Sequence, residues 1–205
     1  MSSRSHLWRL DAVRGFAAFY VFLSHARPLG PVALYQYGQE AVILFFLLSG
    51  FVIDYSTFSG GRALVVRTYL IHRVRRIYPL LLVSLLLGYL SACVAAQGWA
   101  PPRLFSLVMN LLMFQDVAHL KRGVFANTYY GVTPLWSLAY EWWFYLLFIP
   151  MCLRLRTGDA ARTVVAGTIS AIAFVLYQAW PNQPCLYLSY FIIWWCGVSL
   201  AREYR

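Results

Sequence analysis

This chain carries a series of apolar blocks, each long enough to cross a lipid bilayer. A spanning helix needs roughly 20 mostly apolar residues. Stretches of that kind lie at 8–27, 39–58, 77–97, 134–153, 163–180 and 185–201 of the 205 residues. Backbone N–H and C=O groups in lipid must be satisfied within their own segment, so such blocks fold as helices. Charge agrees: 12% of residues are charged and 61% hydrophobic, whereas a soluble domain carries about twice that charge. Disordered, disulfide-rich and ordinary cytosolic classes are excluded. The expected fold is all-α, a polytopic membrane helix bundle of six or seven spans, with residues 1–205 forming one domain.

The segment 104–116 (LFSLVMNLLMFQD) decides between six and seven. Arg4, Arg9 and Arg14 point to a cytoplasmic N-terminus. Seven crossings would then place 10 basic residues inside and 7 outside. Six crossings place 13 inside and leave only Arg27, Arg103, Lys121 and Arg122 outside. Short cytoplasmic loops collect Lys and Arg, which favours six. The segment is then a re-entrant or surface-lying helix in an outer region over 98–133. A cleaved signal peptide is disfavoured, because Asp11 and Arg14 interrupt its would-be apolar stretch.

The net charge of +10 follows from the same rule and does not call for nucleic acid as a partner. Sixteen of the 17 basic residues are Arg. Cys93, Cys152, Cys185 and Cys196 form no Cys-x-x-Cys pair. They read as small buried thiols, so no metal site is expected.

Ionisable residues inside apolar helices are costly and mark function by default. Arg14 and His25 are eleven residues apart. That is close to three helical turns, so they share a face about 16 Å apart along the axis. Either could be bland, a snorkelling anchor or an interfacial histidine. Glu40 opens the second apolar helix near the expected level of His25, where a carboxylate would hold an imidazole tautomer. Asp54 closes that helix, within expected reach of Arg14 or the next basic cluster, and Ser49-Gly50 permits close helix approach. His72, Arg73, Arg75 and Arg76 stand at the mouth of the third span. Topology explains part of this charge, but the planar fork of arginine also suits phosphate, on a carrier or a lipid headgroup. Glu141 shares a helical face with Ser137 and Tyr145. It is expected at the outer level, with Trp136, Trp142 and Trp143 as an interfacial belt.

Taken together, four runs resemble acyltransferase family 3, membrane proteins that include O-acetyltransferases of bacterial surface polysaccharides. They are LDAVRG (10–15) with His25, FFLLSGF (45–51), RVRRIYP (73–79) and LWSLAYEWWFY (135–145). They occur in family order and cover about residues 8–150. The resemblance implies an acyl-CoA donor, acetyl-CoA foremost, used from the cytoplasm. Its acceptor would be a hydroxyl of a glycan or lipid-linked saccharide at the outer face of a bacterial inner membrane. By the same matching, His25 is the expected catalytic histidine and Glu141 its acidic companion, with Glu40 as the other candidate carboxylate. Arg14, Arg73, Arg75 and Arg76 are the expected donor-binding residues. Family members carry about ten spans, so this chain reads as an incomplete copy, with His72 where an arginine commonly stands. The rival readings are a transporter or lipid-binding partner without enzymatic activity, and an inactive remnant. Oligomerisation stays open.

Overall fold

The computed structural model describes residues 12, 13, 15–17, 19–21, 37–155 and 158–205. The expected first span, 8–27, therefore falls largely outside the described residues. Seven α-helices follow in chain order among the residues described: α1 (Gly38–Phe58), α2 (Val66–Ala95), α3 (Leu104–Leu111), α4 (Leu135–Leu153), α5 (Asp159–Ala179), α6 (Gln183–Ser189) and α7 (Phe191–Tyr204). A 3-10 turn at Tyr129–Gly131 precedes α4. No strand occurs among the described residues.

Four stretches are long and apolar enough to cross a membrane: α1, α2, α5, and α6 with α7 as Gln183–Tyr204. At a rise of about 1.5 Å per residue, the 21 residues of α1 measure about 32 Å. That matches a hydrocarbon core of about 30 Å. The chain is an integral membrane protein. Helix α4 is 19 residues long and is not one of these four stretches. Helix α3 has 8 residues, a length of about 12 Å, and cannot cross alone. Leu104, Phe105, Val108 and Leu112 are exposed, while Asn110 is buried and donates to the Asn127 carbonyl at 3.0 Å. That is a surface-type helix, apolar outward and polar inward.

Helix α2 departs from expectation. The third span was placed at 77–97, with the arginines in front of it; the helix starts eleven residues earlier, at Val66. Arg is a good helix former, so the backbone runs through the basic cluster although the apolar pattern stops there. Pro79 sits inside the helix and removes the N–H that would bond the Arg75 carbonyl. The helix ends in a Schellman-type turn. Gln97 takes a φ of 51°, and the Gly98 N–H bonds the Cys93 carbonyl at 3.1 Å.

The described residues form two compact bodies, one drawn from Met1–Ala63, Thr157–Gly167 and Tyr190–Arg205, the other from Leu64–Arg156 and Thr168–Ser189. In the first, α1 packs on α7 around Gly50 and Gly197. A Cβ on Gly50 would overlap the Trp194 carbonyl, and one on Gly197 the Leu47 carbonyl. Phe46, Ile53, Trp194 and Trp195 fill the core around this close approach. Asp54, expected to pair with Arg14 or the basic cluster, instead accepts from Arg202 Nε at 3.0 Å, and Arg205 Nη2 lies 2.9 Å from its other oxygen. Arg202 also bonds Asp159 at the start of α5.

In the second body α2 packs on α4. Tyr78 meets Trp142 edge-on, with ring centroids 5.5 Å apart, and a Cβ on Gly88 would strike Val132. The segment between α3 and α4 is fastened by an ion pair between a buried carboxylate and a half-buried lysine. Lys121 Nζ donates to Asp116 Oδ1 at 2.9 Å, Tyr140 Oη donates to Asp116 Oδ2 at 2.7 Å, and Nζ lies 3.6 Å from the Trp136 ring centre.

Candidate active site

Arg14 and His25 lie outside the described residues. Among the other expected site residues, Glu40 is exposed in the first turn of α1, in the first body. Arg75 and Arg76 are exposed on α2, as are Arg62, Arg67 and His72 nearby. Two expected residues, Arg73 and Glu141, both contact one tyrosine, Tyr145, and a second tyrosine, Tyr69, also lies against Arg73.

The cluster is built from two helical ladders that face each other. On α2, Tyr69 and Arg73 are four residues apart and share a face. On α4, Glu141, Tyr145 and Phe148 follow at helical spacing along one face. Tyr69 Oη donates to the Tyr145 carbonyl at 3.2 Å, and its ring stacks on Phe148 with centroids 5.6 Å apart. Tyr145 Oη donates to Glu141 Oε1. The Arg73 guanidinium carbon lies 5.4 Å from the Tyr69 ring centre and 5.5 Å from that of Tyr145. Both separations are within cation–π range.

Burial makes the arrangement consequential. Tyr145 is 0% exposed, Glu141 4% and Tyr69 5%. A carboxylate taken out of water requires hydrogen bonds or a counter-charge, and the Tyr145 hydroxyl supplies one bond. The Arg73 Nε is buried and makes no hydrogen bond to any described residue. Arg73 thus holds an unused donor at a desolvated position, where a bond to an anion is strong.

The depth of Glu141 differs from expectation. Glu141 was placed at the far side from the arginines. Its neighbour Trp142 contacts Tyr78, and its partner Tyr145 reaches Tyr69 and Arg73. The far end of the α2–α4 pair is marked by Gly88 against Val132. Gly88 stands ten residues beyond Tyr78, a rise of about 15 Å along the axis. Glu141 therefore belongs to the arginine end of α2. Ser137, on the same face of α4, bonds its own helix at the Pro134 carbonyl and does not join the cluster. The tryptophans expected as a lipid belt also have protein partners: Trp143 Nε1 donates to the Met113 carbonyl at 2.8 Å.

Tyr69 was missed by sequence reasoning. Its one signal was its spacing from Arg73. Asp116 and Lys121 were missed as a pair because their shared partner Tyr140 lies in another element.

Residues 7–202 match the family model described as an acyltransferase domain. The chain is also similar to a protein named acyltransferase MdmB from Streptomyces mycarofaciens, 34% identical over 187 residues, covering 82% of this chain. The chain spans about half the length of that relative, 46%. No solved structure matches.

Proposed function

Because this chain belongs to acyltransferase family 3, we propose that it moves an acyl group, acetyl foremost, from acyl-CoA to a hydroxyl of a glycan or similar acceptor. His25 acts as general base. It takes the proton of the acceptor hydroxyl as that oxygen attacks the thioester carbonyl; the carbon–sulfur bond then breaks and coenzyme A leaves as its thiol. A placed base contributes roughly 10²–10⁴ in rate. Glu40, at the level expected of His25, steadies the imidazolium that forms, with Glu141, at the arginine end of α2, as the alternative. Arg14, Arg73, Arg75 and Arg76 bind the phosphates of the donor, which reaches them from the cytoplasm, where the N-terminus lies. The membrane is the bacterial inner membrane.

The observation that carries this reading is Arg73. Its guanidinium is seated on two aromatic rings, one of which bonds a buried carboxylate through its hydroxyl, with Nε unbonded, while Arg75 and Arg76 stand exposed on the same helix. One arginine held rigidly and two free to close from solvent suit a ligand with several phosphates.

The test is transfer of label from acetyl-CoA into acceptor material, in membranes that carry the chain. Wild type is expected to transfer and His25→Ala to lose at least about 10²-fold. Full activity in His25→Ala would end the assignment of the base.

A further inference from the structure

We propose that Tyr145 is a positioning residue with two separable parts: its ring face aims the Arg73 guanidinium at the donor, and its hydroxyl holds Glu141. The proposal rests on the reading above in one respect, that Arg73 grips the donor.

The geometry separates the parts. The guanidinium lies 5.5 Å from the Tyr145 ring centre and 5.4 Å from that of Tyr69. The Arg73 Nε has no hydrogen-bond partner among the described residues, so the rings set the direction of the fork. An arginine side chain is long and rich in rotamers, and holding one in a single pose costs entropy whenever a ligand binds. Two ring faces meet that cost before the ligand arrives. The Tyr145 hydroxyl points elsewhere, to Glu141 Oε1. Tyr145 also cannot drift, because its own carbonyl accepts the Tyr69 hydroxyl at 3.2 Å and its side chain is fully buried. Tyr69 and Tyr145 thus make one clamp from two helices.

The two parts have different kinetic signatures. Loss of the ring weakens donor binding; loss of the hydroxyl alone leaves donor binding intact and lowers turnover. Tyr145→Phe keeps the ring and removes the hydroxyl. Tyr145→Leu removes both.

The experiment measures protection of the purified full chain by coenzyme A against thermal unfolding in detergent, with KM for acetyl-CoA and kcat measured in membranes. Tyr145→Phe is expected to match wild type in coenzyme A affinity and in KM, with reduced kcat. Tyr145→Leu is expected to lose about 5- to 30-fold in both affinity and KM, the factor for one desolvated cation–π contact. Tyr69→Met removes the other ring while leaving the Glu141 bond in place; it is expected to weaken affinity without the kcat loss of Tyr145→Phe, and it stands in should Tyr145→Leu fail to fold. Equal affinity in wild type, Tyr145→Leu and Tyr69→Met would overturn this proposal alone. Affinity lost equally in Tyr145→Phe and Tyr145→Leu would assign the effect to the hydroxyl and overturn it as well. A wild-type chain that coenzyme A does not protect and that transfers nothing would overturn the proposed function, and this proposal with it.

Discussion

Lys121 is the single lysine beside sixteen arginines, and it serves as a compact point charge. Its partner Asp116 is fully buried, so removing the ammonium leaves a carboxylate that keeps only the Val117 N–H and the Tyr140 hydroxyl. Lys121→Met is expected to cost about 3 kcal/mol, at the low end for breaking a buried pair, read as a lowered unfolding midpoint in detergent. Burial is the largest influence on the Lys121 ammonium and pulls its pKa below 10.5, with Asp116 acting in opposition. The folded chain then gives up this proton at lower pH than the unfolded chain. Stability contributed by Lys121 should rise with pH through the window ending near 10.5, and that rise should vanish in Lys121→Met. At the candidate site, Glu141→Gln preserves an acceptor for the Tyr145 hydroxyl and removes the charge. It is expected to lower kcat by about 10²-fold or more while donor KM stays within about twofold, measured by acetyl transfer.

Helix packing carries the next scale. The contact of α1 with α7 depends on two positions without side chains, Gly50 and Gly197, each facing a backbone carbonyl of the other helix. Backbone cannot move aside as a side-chain tip can, so Gly197→Ala is expected to destabilise by about 3 kcal/mol or more. Ser199→Ala, in the same helix, loses only a hydroxyl contact with Thr163 and should cost about 1 kcal/mol. Comparing the two unfolding midpoints in one detergent checks this. The helices themselves were largely legible. The apolar run at 39–58 became Gly38–Phe58, and 134–153 became Leu135–Leu153, because turn-forming residues bound both runs. The start of α2 was hidden, since an apolar pattern detects lipid contact and not helix. Asp54 illustrates the other limit. That it needed a cation was legible from its place in an apolar helix, but its partner Arg202 is 148 residues away, and nothing local announces such a pairing. Arg73 and Glu141 were legible as residue types in an apolar setting; the tyrosines joining them required the register of α2 against α4.

For the whole molecule, family membership and the four apolar stretches make this an integral membrane protein of the acyltransferase class of sequences. The proposed chemistry is a division of labour: arginines hold an activated acyl carrier, and His25 takes the acceptor proton. Steady-state transfer from acetyl-CoA in His25→Ala and Arg73→Gln, measured side by side with coenzyme A affinity, tests that division most directly. His25→Ala is expected to lose kcat by about 10²-fold or more with coenzyme A affinity unchanged. Arg73→Gln is expected to lose coenzyme A affinity about tenfold or more. Unchanged affinity in Arg73→Gln, together with unchanged kcat in His25→Ala, would contradict that division.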